Sequence, residues 1–156
     1  MGADDGTSVP SKILVVDDND QNRELLEAYV QDLPQTAIVS AVDGSDALDA
    51  VAREHPDLIL LDIMMPKMSG FEVCRRLKSD PATKDIPIVM VTALNEIADH
   101  EKGIECGCDD FLSKPVNRME LIKRIQSLLR IRHLKTQLDR TMALIKAVPG
   151  TQPSDG

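Results

Sequence analysis

Five polar side chains stand at the ends of short apolar runs, and their types suit the transfer of a phosphoryl group. Asp17 and Asp18 end the first apolar run, Asp62 ends the third, and Thr92 and Lys114 end the fourth and fifth. Two unit charges about 4 Å apart repel by about 4 kcal/mol at an effective dielectric near 20, so clustered carboxylates need a cation. Mg²⁺ binds carboxylates, keeps waters and bridges to phosphate oxygens. Lys114 would add a fixed positive charge.

An aspartate carboxylate is an accepted nucleophile for a phosphoryl group and forms an acyl phosphate. The protein then contributes mainly positioning and neutralisation of charge. Simpler roles also exist for each residue. A single aspartate at a strand end is commonly a cap or a turn residue, and Asp17 with Asp18 could cap the following helix. The arrangement of all five groups at one edge of a sheet favours the chemical interpretation.

Apolar runs alternate along the chain with segments of helical spacing. We predict strands at residues 12–18, 36–42, 57–62, 86–93 and 109–114, and helices at 22–33, 44–54, 69–80, 95–107 and 117–148. Strands that alternate with helices form right-handed βαβ units and a parallel sheet. The runs are continuously apolar, as expected where helices cover both faces. The predicted fold is therefore α/β, a flavodoxin-like doubly wound five-stranded parallel sheet of order 2-1-3-4-5 with an extended C-terminal helix.

Composition and charge narrow the classes of function. The 156 residues include 18 basic and 26 acidic ones, for a net charge of −8 at pH 7, so direct binding of nucleic acid is not expected. No window approaches the roughly 18 uninterrupted apolar residues of a membrane span. The acidic, polar N-terminus does not resemble a signal peptide. We therefore expect a cytoplasmic protein that does not bind membranes.

The three cysteines are Cys74, Cys106 and Cys108, an odd number that argues against a disulfide framework and suits a reducing compartment. Cys106 and Cys108 flank Gly107, and such a pair could bind a metal or change its redox state. Free thiols in a helix-end turn are the simpler interpretation. A zinc site would need two more ligands, and the three histidines stand alone in sequence.

Four motifs make the chain similar to the receiver domain of two-component response regulators, over roughly residues 11–132. The motifs are ILVVDDN, DLILLDIMMPKMSGFEVCRRLK, IPIVMVTA and GCDDFLSKP. Their spacing is also the family's: Asp18 precedes Asp62 by 44 residues. Thr92 and Lys114 follow Asp62 by 30 and 52 residues. The resemblance implies that Asp62 accepts a phosphoryl group from the phosphohistidine of a sensor histidine kinase or phosphotransfer protein.

The resemblance also implies that the chain is not an enzyme beyond catalysing its own phosphorylation and dephosphorylation. The implied ligands of Mg²⁺, with Mn²⁺ as its substitute, are Asp17, Asp18, Asp62 and the backbone carbonyl of Met64. Lys114 and Ala93 would contact the phosphoryl oxygens. The peptide bond between Lys114 and Pro115 would be cis, an isomer almost confined to X-Pro bonds.

A conformational switch is the next implication of the resemblance. Thr92 would turn towards the phosphoryl group, and Phe111 would follow into the vacated space, with Pro115 completing the switch residues. Composition alone would assign Phe111 to the ordinary core. The changing surface would comprise the fourth helix, fifth strand and fifth helix, roughly residues 95–130. That surface would control an output domain or an effector protein, and it could form a homodimer together with the C-terminal helix.

The last predicted helix continues beyond the family's usual end. The residues Ile131, Leu134, Leu138, Thr141, Ile145 and Val148 are spaced by three and four, which makes an a/d seam of under three heptads. This pattern favours a parallel dimerising helix, with a helix folded back on its own domain as the alternative. The predicted organisation is a flexible segment at 1–10, a receiver domain at 11–132, a helical extension at 133–148 and a linker or tail at 149–156.

Two further stretches, EVCRRLKSDPATKDIPIVMVTAL and LLRIRHLKTQL, are similar to receivers that precede diguanylate cyclase or cyclic-dinucleotide phosphodiesterase domains. No second domain follows in this sequence, so we expect no output chemistry from it. Two other classes of function fit the sequence less well. Haloacid-dehalogenase-type phosphatases place a second Asp two residues after their nucleophile, where this chain has Met64. An interaction module that acts independently of phosphorylation would not need the intact set of acids, threonine and lysine.

Overall fold

The computed structural model describes residues 10–94 and 96–147. Within these ranges strands alternate with helices in the order β1 (Ser11–Val16), α1 (Asp20–Val30), β2 (Thr36–Ala41), α2 (Gly44–Glu54), β3 (Leu58–Leu61), α3 (Gly70–Ser79), β4 (Ile88–Thr92), α4 (Ile97–Cys106), β5 (Asp110–Ser113) and α5 (Arg118–Ala147). Three parts of the sequence predictions lie outside the described residues. They are the N-terminal segment up to residue 9, Asn95, and the chain from Val148 through the predicted tail.

The strands form one parallel sheet in the order β2-β1-β3-β4-β5. β1 pairs with β2 along its whole length on one side, and on the other it pairs with β3, where Val16 lies opposite Leu61. The predicted flavodoxin-like doubly wound fold is therefore confirmed. The direction of winding reverses between β1 and β3, and ligands bind at such a reversal in folds of this class. Asp17 and Asp62 follow the two strands that flank it.

Helices cover both faces of the sheet, which explains why the strands are apolar without alternation. All residues of β3 are fully buried, as are the last four residues of β1. Successive side chains of these strands enter two different apolar clusters. Leu14 and Ile59 belong to the cluster under α2, α3 and α4, while Ile13 and Leu58 belong to the cluster under α1 and α5. The core therefore lies in two layers, one on each face of the sheet, and both layers are apolar.

β1 and β3 each end one residue before their carboxylate, so the predicted ends at residues 18 and 62 were slightly too long. The backbone N–H of Asp62 still donates to the carbonyl of Val16 at 3.0 Å. Beyond that point the chain turns, because the Asp17 side chain accepts from the N–H of Asn19 at 2.9 Å and the Asp62 side chain accepts from that of Met64 at 3.3 Å. Such aspartate turns take the backbone out of the sheet ladder.

Local caps account for the helix boundaries. α1 begins two residues earlier than predicted because the side chain of Asn19 accepts from the N–H of Asn22 at 2.9 Å. α4 ends at Cys106, and Gly107 caps it in the left-handed conformation with φ 93°. The predicted end of this helix at residue 107 is confirmed to within one residue.

α5 is a single helix of 30 residues, and only its first half is held in the core. Leu121 and Ile125 are fully buried, whereas Leu134 and Leu138 are 57% and 60% exposed. In the described part of the chain the extension does not fold back on the domain, so that alternative is wrong there. Despite this length, none of the described helices is apolar enough to cross a membrane.

Two aspartates at the amino edge of the sheet hold neighbouring strands together. Asp57 accepts from the N–H of Lys12 at 2.8 Å and donates its own N–H to the Lys12 carbonyl at 2.7 Å. Asp109 makes the same reciprocal pair with Ile88, at 2.7 and 2.8 Å. Asp57 also lies 3.6 Å from the guanidinium of Arg132 on α5. These carboxylates satisfy backbone donors at strand starts, which is a structural role.

Replacing Asp57 with alanine should lower the free energy of unfolding by about 1 kcal/mol, because the N–H of Lys12 loses its acceptor. Asp57→Asn should retain most of the stability, since its amide oxygen can still accept. The matched control is Asp85→Ala, which removes an exposed pair with Lys135 and should have a much smaller effect. Urea denaturation of the three variants measures this. Equal losses for Asp57→Ala and Asp85→Ala would contradict the assigned role.

Candidate functional site

The carboxyl edge of the sheet brings Asp17, Asp62 and Lys114 into direct contact. The Nζ atom of Lys114 lies 2.7 Å from Oδ2 of Asp17 and 3.3 Å from Oδ2 of Asp62. Lys114 is 97 residues from Asp17 and 52 from Asp62, and it reaches them because β5 ends at the same edge as β1 and β3. Asp17 is 0% exposed and Asp62 is 6% exposed. Two carboxylates are thus removed from water and share one ammonium group.

Asp18 joins these two acids from the solvent side. Carboxylate oxygens of Asp17, Asp18 and Asp62 lie within 4.8 Å of one another, and Asp18 is exposed. This trio is the sole group of three or more metal-ligating side chains found among the described residues. Three oxygen donors, two buried and one open to solvent, fit a hard divalent cation such as Mg²⁺ or Mn²⁺ that keeps part of its water.

Thr92 closes the site on the β4 side. It is fully buried, and its hydroxyl favours the charged form of Asp62 and so lowers the pKa of that carboxyl. Its carbonyl accepts from the N–H of Lys114 at 2.8 Å, which ties the end of β4 to the end of β5. Ala93 follows directly and is exposed. The predicted phosphoryl-contacting and switch residues are therefore neighbours at this edge.

Burial raises the pKa of Asp62 above its ordinary value. The positive charge of Lys114 opposes that rise, and the negative charge of Asp17 adds to it. Hydrogen bonds from Thr92 and from the N–H of Met64 stabilise the charged form but do not reverse the balance. Asp62 is therefore a desolvated carboxylate whose charge is costly to the folded protein without a further cation.

The loop after Asp62 depends on a glycine that sequence reasoning did not single out. A Cβ atom on Gly70 would lie 2.2 Å from the carbonyl oxygen of Asp62 and 2.8 Å from the Cα of Ile63. The N–H of Gly70 donates to the Ile63 carbonyl at 2.9 Å, so the start of α3 is pressed against the backbone of the candidate nucleophile. The available signal was a glycine at the first position of a helix, where alanine has the better propensity.

Arg23 is a second residue that the sequence did not point to. Its guanidinium donates to the carbonyl of Asp17 at 2.9 Å and pairs with Asp20 at 2.6 Å. The contact holds the turn that presents Asp17 and Asp18 to the site. An arginine on the exposed pattern of an amphipathic helix has no distinctive signal, and only the folded loop reveals the contact.

Phe111 and Pro115 lie beside the acid cluster rather than in it. Phe111 is half-buried in β5, and its ring stacks on His100 of α4 with centroids 4.0 Å apart. A Cβ on Gly103 would lie 3.2 Å from that ring, so the absence of a side chain there gives Phe111 its space under α4. The Lys114–Pro115 peptide bond is cis, as predicted. The predicted movement of Phe111 remains a prediction.

Comparison with known proteins gives a consistent result. The family model for the response regulator receiver domain matches residues 13–126. The chain is 48% identical over 122 residues to the response regulator PleD of Caulobacter vibrioides. That alignment covers 78% of this chain and 27% of PleD, so the chain spans about a quarter of that relative.

Solved structures share the fold over a similar span. The Vibrio cholerae chemotaxis protein CheY4 matches with a TM-score of 0.72 and 30% identity, covering 77% of this chain and 99% of CheY4. The receiver domain of the sensor histidine kinase PA1611 from Pseudomonas aeruginosa matches with a TM-score of 0.71 and 29% identity, covering 78% of this chain and 98% of that domain. That structure has a magnesium ion coordinated in its active site cleft.

Asp62→Asn should make the protein more stable than wild type near pH 7 when divalent cations are removed with chelator. The raised pKa means that the folded state binds a proton on Asp62 more readily than the unfolded state, so stability is lost as pH rises through the folded pKa. Asparagine resembles the neutral form and avoids that loss. The gain should shrink as the pH falls towards about 4, the ordinary carboxyl range.

Urea denaturation of both proteins across this pH range, in chelator, provides the measurement. Taking the difference between variant and wild type removes the contributions of the other carboxyl groups, which titrate in both proteins. A variant less stable than wild type at pH 7 would mean that the attraction of Lys114 outweighs the burial of Asp62.

Proposed function

Because the chain belongs to the response regulator receiver domain family, we propose that it is a phosphorylation-dependent signalling switch with Asp62 as the phosphoacceptor. The observation that carries the proposal is the Asp62 carboxylate, 6% exposed, held beside Lys114 and Thr92 next to two further acids. The donor is the phosphohistidine of a sensor histidine kinase or a phosphotransfer protein.

The transfer itself is a displacement at phosphorus. A carboxylate oxygen of Asp62 attacks, a phosphorus–oxygen bond forms, and the bond between phosphorus and the donor nitrogen breaks. Desolvation favours this role, since a buried carboxylate loses little hydration when its charge is spread over the acyl phosphate. The N–H of Met64, 3.3 Å from Oδ1, and the ammonium of Lys114 orient the two carboxylate oxygens differently. Oδ1 accepts from the backbone N–H, and Oδ2 faces the ammonium group.

The proposed ligands of a divalent cation are Asp17, Asp18, Asp62 and the backbone carbonyl of Met64. A bound Mg²⁺ or Mn²⁺ would supply positive charge between the acids and the phosphoryl oxygens. Support comes from the convergence of three carboxylates within 4.8 Å and from the buried, costly charge on Asp62. Arg23 and the turn at Asn19 keep Asp17 and Asp18 in place.

Lys114 and Ala93 are the proposed contacts of the phosphoryl oxygens. The ammonium group already bridges two carboxylates, and it can follow the negative charge when that charge moves to phosphate. Ala93 is exposed just after the end of β4, next to the buried Thr92. The chain thus neutralises the transferred group from the β5 side while the acids lie on the β1 and β3 side.

We propose that phosphorylation moves Thr92 off Asp62 and towards the phosphoryl oxygens, and that Phe111 follows. The Thr92 hydroxyl stabilises the charged form of the Asp62 carboxylate, and that form is lost once Asp62 becomes an acyl phosphate. Phe111 is stacked on α4 through His100, so a move of this ring changes the packing of α4. Ile97 and Ile104 on α4 are 80% and 75% exposed and form part of the surface that would change.

The proposed organisation is a receiver domain at 11–132 and a helical extension at 133–148 that passes the signal to an output domain or effector protein. Leu134, Leu138 and Ile145 expose an apolar seam on the extension, 44% to 60% open to solvent. Such a seam suits a parallel homodimer, together with the surface formed by α4, β5 and α5. The local charge of the extension is positive, with Asp139 its only acid between residues 130 and 147.

Incubation with acetyl phosphate and Mg²⁺ should add one phosphoryl group to the wild-type chain, measured by intact mass. The addition should disappear with chelator and with Asp62→Asn. The matched control is Asp57→Asn, which changes the aspartate at the opposite end of β3. This variant should be phosphorylated normally. A phosphoryl group on the Asp62→Asn chain would assign the acceptor elsewhere. A folded wild type that gains no mass from acetyl phosphate or from a phosphorylated histidine donor would favour a module that acts independently of phosphorylation.

Leu138→Lys should weaken self-association of the phosphorylated chain at least about tenfold, because it removes buried apolar area and places like charges side by side in the seam. Ala143→Lys is the matched control, since it adds the same charge to the exposed opposite side of the helix. Size exclusion with light scattering, with and without acetyl phosphate, measures the dissociation. Equal behaviour of the two variants would show that the seam is not the dimer contact.

A further inference from the structure

The loop before β4, residues 80–87, contacts α5 through charged and hydrogen-bonding groups. Oδ1 of Asp85 in this loop accepts from the ammonium of Lys135 at 3.1 Å. The backbone carbonyl of Asp85 accepts from the guanidinium of Arg132 at 3.0 Å. Both donors belong to α5 and lie where the helix leaves the domain. Two contacts from the extension therefore hold Asp85 against it.

Lys78 of α3 fixes the same loop from within the domain. Its Nζ atom donates to the carbonyls of Lys84 and Ile86 at 3.1 and 2.8 Å. The same ammonium pairs with the carboxylate of Asp109 at 2.9 Å, and the Lys78 side chain is only 16% exposed. Lys78 thus restrains the backbone on both sides of Asp85, so the loop presents this carboxylate in a defined place.

The a/d seam of the extension lies on the side of α5 that faces away from the domain. Ile131, Leu134 and Leu138 of this seam are 57% to 62% exposed. Arg132 marks the opposite, domain-facing side, because its guanidinium lies 3.6 Å from the carboxylate of Asp57. The seam is therefore accessible to a second copy of the chain, with each domain on the outside of the pair.

Two basic residues flank the seam. Arg130 directly precedes Ile131, an a position, and Lys135 directly follows Leu134, the next d position. In a parallel two-stranded coiled coil, the residue before an a position faces the residue after the following d position of the other chain. Arg130 of the partner subunit would therefore face Lys135. These like charges repel each other, and a symmetric dimer contains the contact twice.

Asp85 supplies the negative charge that this pairing needs. Its carboxylate lies beside Lys135, and the Asp85 side chain is 56% exposed, so it is open to a further cation. Arg130 is exposed, and within residues 10–94 and 96–147 no carboxylate pairs with its guanidinium. An unpaired guanidinium and an accessible carboxylate are thus available on the two flanks of one seam.

The flank next to Asp85 has room for a long side chain. A cavity of about 390 Å³ lies between the loop and α5, and its lining includes Asp85, Ile131 and Lys135. The loop and the extension are therefore joined by charged groups beside an open space. That space can admit a guanidinium group from a second copy.

We propose that Asp85 is part of the homodimer interface, where its carboxylate bridges Lys135 of its own chain and Arg130 of the partner subunit. This inference rests on the parallel dimer of the proposed function and adds the loop before β4 to that interface. Asp85 turns a repulsion between two basic residues into an attraction. A receiver with a similar seam but no acid at this place keeps the repulsion, so Asp85 favours pairing with a second copy of this chain.

Asp85→Asn should weaken self-association of the phosphorylated chain about fivefold at about 0.1 M salt, because both basic pairs of the dimer lose their acid. The loss should nearly vanish at about 1 M salt, where exposed charges are screened. Asp49→Asn is the matched control, since it removes the same charge from an exposed position on α2, which covers the other face of the sheet from α5. Sedimentation equilibrium measures the dissociation constants, and intact mass verifies phosphorylation of each sample.

Arg130→Gln is the reciprocal variant. In the Asp85→Asn background it should restore the dimer to near the wild-type level, since only one charge then remains in each pair. By itself it should weaken the dimer less than Asp85→Asn does. Equal dissociation constants for Asp85→Asn and Asp49→Asn at about 0.1 M salt would overturn the proposed contact.

A carbodiimide cross-link tests the position of the two groups directly. In Arg130→Lys, the reagent activates the Asp85 carboxylate, and the introduced amine attacks it to form an amide. Isotope-labelled and unlabelled chains are mixed before the reaction. The expected product is a covalent dimer in which Asp85 of one copy is linked to position 130 of the other. A link confined to single copies, or a dimer linked only elsewhere, would contradict the contact.

The outcomes separate this contact from the proposed function. Phosphorylation is read by mass, and the seam is read by Leu138→Lys. If the wild type dimerises, Leu138→Lys does not, and Asp85→Asn matches its control, only the Asp85 contact is wrong. A phosphorylated wild type that stays monomeric would overturn the dimer together with this contact and would leave Asp62 as the acceptor.

Discussion

Lys114 holds together two buried carboxylates that would otherwise repel each other across the carboxyl edge of the sheet. Asp17 and Asp62 lie on neighbouring strands, and each is almost completely removed from water. One ammonium at 2.7 and 3.3 Å offsets part of that cost. The raised pKa of Asp62 shows that the compensation is incomplete. Further positive charge would therefore stabilise the site. A divalent cation would provide that charge, and a bound phosphoryl group would help to hold the cation.

Aspartates serve opposite purposes at the two edges of the sheet. At the amino edge, Asp57 and Asp109 each exchange a pair of hydrogen bonds with a neighbouring strand, so their charge is absorbed by backbone donors. At the carboxyl edge, Asp17 and Asp62 face each other and share one cation. β3 has an aspartate immediately before it and another immediately after it. Only the second lies beside Lys114 and two further acids.

α4 and α5 couple this site to more distant surfaces in different ways. α4 packs on Phe111 through His100, so the proposed movement of this ring would act on the packing of the helix. α5 is anchored at Leu121 and Ile125 and then leaves the domain. Arg132 contacts Asp57 and the carbonyl of Asp85 where it leaves, which fixes the direction of the extension relative to the sheet.

The sequence by itself determines the alternation of strands and helices, the edge at which Asp62 and Lys114 lie, and the stop at Gly107, because periodicity, chain order and local caps are encoded over a few residues. Strand ends were predicted one or two residues too long, since aspartate turns end the ladder. Tertiary structure alone decides that Gly70 must lack a side chain. It also decides that Asp57 accepts a hydrogen bond from a neighbouring strand, whereas Asp62 is buried and has a raised pKa. Those properties depend on distances and burial created by residues far apart in the chain, and no local pattern records them.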